Sequence, residues 1–149
     1  MFAALVGEAR QPHWYVEGQI PDTLDGRFAV VATMTALATV RLERGGEAAR
    51  TEAVALAERF VEAMDAEHRQ LGIGDPALGK KVRKLVGALA RRVELWRGAI
   101  EGDEWNEAVA VSLNAGDEDA LAHREAALRQ VWARLEAASD EAVADGRIG

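Results

Sequence analysis

The chain has 149 residues, of which 49% are hydrophobic and 29% charged, with a net charge of −7, a mean hydropathy of −0.13 and no cysteine. That balance excludes disorder, and the length supports one core rather than two, so a single domain over residues 1–149 is expected. The missing cysteine excludes disulfides, thiolate metal sites, iron–sulfur clusters and cysteine nucleophiles.

Alanine is the commonest residue, and straight-chain residues outnumber strand formers, which favours helix throughout. A short first helix stops before Pro12, because proline disfavours helix at the residue before it. His13 to Gly26 reads as an irregular connector rich in turn formers. A second helix is predicted from about Arg27 to Glu43, ending at Gly45-Gly46. Its uncharged run, Phe28 to Val40, is shorter than the roughly 20 residues a membrane span needs, so it reads as a buried helix.

The third helix, Glu47 to Leu71, carries Ala53, Leu56, Ala57, Phe60, Val61, Met64 and Leu71 on one stripe. Asp75-Pro76 is a start signal for the fourth, where Leu78, Val82, Leu85, Val86, Leu89, Val93, Trp96 and Ile100 repeat at helical spacing. Asp103 is placed to cap a fifth helix over Glu104 to Leu113. Asn114 to Asp117 then leads into a sixth helix carrying Leu121, Leu128, Val131 and Leu135. Trp132 stands beside that stripe, where partial exposure is the alternative and core packing the expected role, and Ala144 to Gly149 reads as a frayed tail. Six helices with short loops make an all-α bundle.

Catalytic chemistry is sparse. His13, His68 and His123 have no histidine three or four positions away, so no zincin motif exists. Asp65 and His68 share a helix face with Glu58 and Glu62 on preceding turns, but the second copy that a di-iron bundle needs is missing. Ser112 and Ser139 lack a nucleophile elbow. Gly72 and Gly74 resemble part of a phosphate loop, yet no Gly-Lys-Ser/Thr follows them, and a helix stop is the simpler reading. The expectation is no enzyme, no metal and no cofactor. The enzyme alternative is a helical metal- or cofactor-dependent protein using Asp65 and His68.

Charge, by contrast, is segregated. Lys80, Lys81, Arg83, Lys84, Arg91, Arg92 and Arg97 face Glu94 alone in one stretch of an otherwise acidic chain. Lys80, Lys84 and Arg91 fall on one side of the fourth helix, opposite its apolar stripe. This is either a solvated face or, with Lys81, a partner-binding surface steering toward an acidic protein, phosphates or an anionic membrane. If the basic face is dispensable, an apolar groove between the second and fourth helices is the next candidate.

Three segments carry a resemblance. Ile20-Pro21-Asp22-Thr23-Leu24-Asp25-Gly26-Arg27-Phe28 precedes the apolar helix. Met64-Asp65 is followed by Arg69-Gln70-Leu71-Gly72-Ile73-Gly74-Asp75, and Gly79-Lys80-Lys81-Val82 comes next. In this order and spacing the chain resembles the ubiquinol-cytochrome c chaperone family, assembly factors for the respiratory quinol-cytochrome c reductase. The resemblance implies a non-enzymatic helical protein that helps newly made cytochrome b mature, in mitochondria together with a smaller partner.

Where relatives commonly carry an aromatic pair and Gly-Arg in the fourth helix, this chain has Leu89-Ala90-Arg91-Arg92. It also has Met34 and Ala36 in place of a His and an aromatic in the second helix, and Ala115-Gly116 in place of an aromatic.

The expected function is therefore an assembly chaperone that binds cytochrome b transiently, with a small co-chaperone, the ribosome or a membrane surface as further partners. A generic helical interaction module is the other alternative, and the pI of about 5.0 disfavours nucleic acid. Asp25, Gly26, Arg27, Met64, Asp65, Gly72, Gly74, Asp75 and Gly79 read as architectural, with Asp75 capping the fourth helix. The expected location is cytoplasmic, with a peripheral position at the inner membrane as a second option.

Overall fold

A helix that is apolar all round has no face to give to water, so it is stable only when other helices surround it. α2 (Leu24–Glu43) is such a helix, buried at every position from Ala29 to Leu42. In the computed structural model, which describes residues 1–70, 75–113 and 116–148 with side chains except at 68–70 and 75–79, α2 is the axis of an all-α bundle. α1 (Phe2–Ala9), α3 (Glu47–Gln70), α4 (Asp75–Gly102), α6 (Glu118–Ala137) and α7 (Asp140–Ala144) all pack against it, and α5 (Trp105–Ser112) bridges α4 and α6. Among the described residues there is no strand.

α2 begins three residues before its predicted start. The Thr23 hydroxyl accepts the Gly26 N–H at 3.1 Å, a side-chain cap that draws Leu24 to Gly26 into the first turn. A β-carbon on Gly26 would collide with the Pro21 carbonyl, so the preceding loop can fold this tightly only against glycine. The Thr33 and Thr39 hydroxyls donate to the carbonyls of Ala29 and Thr35, each at 2.7 Å, which lets both threonines sit inside the bundle.

Two other expectations are corrected. Asp103 does not cap α5; it takes a left-handed φ of 53°, its carboxylate meets Arg129 at 3.1 Å, and Glu104 holds the cap position without a side-chain bond. The tail does not fray. Ser139 caps α7 by accepting the Ala142 N–H at 3.1 Å, and Val143 and Ile148 bury themselves in the core.

Trp132 packs in the core, only 7% exposed, with the Arg44 guanidinium 5.4 Å above its ring. α4 begins at Asp75, within a residue of the predicted cap, and the capping contact itself lies outside the described residues, as do Leu71, Gly72 and Gly74.

Arginines tie the periphery to the axis. Arg41, on α2, donates to the Leu135 and Ala138 carbonyls at 2.9 and 2.8 Å and pairs with Asp140 at 2.9 Å. The Asp140 carboxylate also accepts the Gly46 N–H, and these two bonds hold it below the usual carboxylate range. Arg124, fully buried, donates to the Gly18 carbonyl at 2.7 Å and so fastens the connector to α6.

Candidate functional site

α3 and α4 each present a stripe wider than the core can cover. Leu56, Phe60 and Met64 of α3, with Leu85, Leu89 and Trp96 of α4, are buried. Next to them on α3, Ala57 and Val61 are half-buried, and Val54 is 61% exposed. On α4, Val93 is half-buried and Val86 is 49% exposed. This uncovered surplus forms a groove of about 630 Å³ between the two helices, with Thr39 of α2 at its floor.

The small side chains of Ala57 and Ala90 leave the space open. Because the Thr39 hydroxyl is spent on its own helix, the floor offers no free donor. Charge is confined to the margin: Glu58 and Glu62 stand on the α3 side, and Arg97 on the α4 side is held by the two Glu43 oxygens at 2.9 and 2.8 Å. Such a trough, apolar inside and polar at the edge, suits an apolar helix or extended segment. α2 contributes its floor and α3 and α4 its walls, whereas the second and fourth helices, the pair named from the sequence, meet at a separate, smaller hollow. Leu89 and Ala90, where relatives commonly carry an aromatic pair, both line the groove.

The basic face lies elsewhere. Lys80, Lys84 and Arg91 are exposed and Lys81 is half-buried. Lys81, Lys84 and Arg91 meet at a second hollow of about 340 Å³, which Asp25 and Met64 also line. The structure thus brings part of the basic set next to part of the motif set, while Lys80 stands outside the hollow. Arg27 pairs with Asp22 at 2.9 Å, Asp65 is half-buried on α3, and the side chains of His68 and Gly79 lie outside the described residues. Among the described residues no group of three or more His, Asp or Glu side chains is arranged to hold a metal.

Ser112 is buried and its hydroxyl accepts the Trp96 indole N–H at 2.7 Å, while its carbonyl accepts from Arg92 at 3.1 Å. It is a link between α4 and α5. Sequence spacing gave no hint of one contact: His13 Nδ1 and His123 Nε2, 110 positions apart, are 3.0 Å from each other. His13 Nε2 lies 3.1 Å from the Gln11 side-chain oxygen, which can only accept. The neutral tautomer that donates from Nε2 to Gln11 accepts at Nδ1 from His123. Burial, and then the proximity of His123, push the His13 pKa below its ordinary value.

The fold and its openings define a class: an all-α single-domain bundle with an apolar trough on one flank. The chain belongs to the ubiquinol-cytochrome C chaperone family, whose pattern matches residues 16–148. Among solved structures it is similar to the Cbp3 homolog from Brucella abortus, with a TM-score of 0.82 at 28% identity over 97% of this chain and 83% of that one. No curated protein matches the sequence. The family resemblance read from the three motif segments is thereby established. Among the described residues no helix is long and apolar enough to cross a membrane.

Proposed function

We propose that this protein is a non-enzymatic assembly chaperone that transiently binds newly made cytochrome b during construction of the respiratory quinol-cytochrome c reductase, and that the α3–α4 groove receives an apolar segment of that client. The observation that carries this reading is the groove itself. Valines left in water at its rim, around a volume of about 630 Å³ with a non-donating floor, favour burial against an apolar partner. Family membership supplies the assembly context. A client that must later leave for the membrane calls for modest affinity, and a groove of valines and alanines without buried charge provides that.

The test fills the groove from within. Ala57→Trp together with Ala90→Trp should leave the helical circular dichroism signal in place while newly made cytochrome b no longer crosslinks to a photoreactive residue at Val61. Levels of assembled reductase should fall in parallel. A folded double variant that still captures cytochrome b and supports normal assembly would sink the groove as the client site.

A further inference from the structure

On α4, Lys84 and Val86, Ala88 and Ala90, and Arg91 and Val93 are each two residues apart, a turn of about 200° around the helix axis. The basic hollow therefore opens on the flank opposite the groove. It adjoins a third hollow of about 330 Å³, and the two share Phe28, Met64 and Glu67 as a dividing ridge. Leu85 also lines the first hollow, and Phe2 and Val6 line the second.

Cations surround this pair of hollows in excess: Lys81, Lys84 and Arg91 at the first, Arg10 and Arg27 at the second, against Asp25 and Glu67. Arg27 is answered by Asp22. Among the described residues no carboxylate forms an ion pair with Arg10, Lys81, Lys84 or Arg91. Arg92 stacks its guanidinium 5.6 Å from the Phe28 ring centroid, directly behind the ridge, and it too has no carboxylate partner among them. Burial, and then the charge of Arg91, push its pKa down.

Shape selects the occupant. An α-helix with its side chains is about 10 Å across and needs an open trough, whereas these hollows are each roughly half the volume of the α3–α4 groove and are interrupted by a ridge. Among the described residues, Leu24 is the one large exposed apolar side chain that borders them. A thin flexible chain ending in an anionic group fits this arrangement. We infer that the paired hollow binds one anionic phospholipid, its phosphate among Lys81, Lys84 and Arg91 and one acyl chain crossing the Phe28–Met64 ridge toward Phe2 and Val6.

The test uses the full chain and monomeric short-chain phosphatidylglycerol, followed by titration calorimetry, with glycerol phosphate and short-chain phosphatidylcholine as controls. Saturable binding of the phosphatidylglycerol is expected, weakened by about tenfold or more in Lys84→Glu with Arg91→Glu. A similar loss is expected when the second hollow is filled by Val6→Trp or, should that variant fold poorly, by Ala63→Trp. Equal binding of glycerol phosphate would overturn the inference by showing a bare anion site, and equal binding of phosphatidylcholine would overturn it by showing that charge plays no part. No binding, or binding indifferent to both filling variants, would also overturn it. So would an acidic amphipathic peptide binding here in the absence of lipid binding. Because the α3–α4 groove is on the other flank, none of these results alters the outcome of the client-capture experiment.

Discussion

Single side chains in this bundle are fixed by the partner they find, and removing the partner is more damaging than removing the pair. The Ser112 hydroxyl is the acceptor for a fully buried Trp96 indole. Ser112→Ala leaves that N–H unsatisfied and should lower unfolding free energy by about 1–3 kcal/mol in urea titrations. The His13–His123 contact predicts a pH dependence. The pKa of His13 is depressed in the folded protein, so the unfolded chain binds more protons in the window between the folded value and 6.5. Stability is then fully present above pH 6.5 and is lost as pH falls through the folded value. Melting temperature should therefore drop from pH 7.5 to pH 5, and His13→Gln should flatten that slope. Asp117 and Asp140 also have depressed pKa values, but their contributions are lost only at more acid pH, below the ordinary carboxylate value of 3.8.

Elements begin and end where the backbone finds a cap or a close approach. Glycine to alanine inside a helix ordinarily stabilises by about 0.5–1 kcal/mol. Gly26→Ala should reverse that sign, since the new methyl meets the Pro21 carbonyl, and a destabilisation of about 1–3 kcal/mol is expected from overpacking. Thermal melts of Gly26→Ala beside Gly98→Ala, a helical glycine whose added methyl meets nothing within 4 Å, make the comparison internal to the protein. The third and fourth helices were legible as elements because their apolar repeats are long and regular. The fifth was misjudged at its cap, because Asp103 is as good a cap as Asp117 by composition, yet it takes a left-handed φ and meets Arg129 while Glu104 holds the cap position.

At the scale of the whole molecule, the outer layer is fastened to α2 through Arg41, which reaches the end of α6 and the start of α7. Arg41→Met keeps the stem but leaves two carbonyls without their charged donor. It should cost roughly 1.5–3 kcal/mol per lost bond at most, and less at the partly exposed Asp140 end. Amide hydrogen exchange should show α7 and the residues after it losing protection before α2 does. If α7 and α2 exchange together in that variant, the clamp is not what holds the tail.

Periodicity and composition determined that the chain is helical, that α2 is buried, and that α3 and α4 are amphipathic, because burial of an apolar stripe at 3.6 residues per turn is a local property of sequence. The motif segments determined the family, since their order and spacing are read without coordinates. Which edge of each stripe stays uncovered depends on how three helices lean on one another, so only the tertiary structure decided that α3 and α4 enclose an apolar groove. It alone separated that groove from the basic hollow by a half-turn of α4. The same is true of His13 with His123 and of Arg41 with Leu135, contacts between residues far apart in the chain, for which sequence spacing holds no signal.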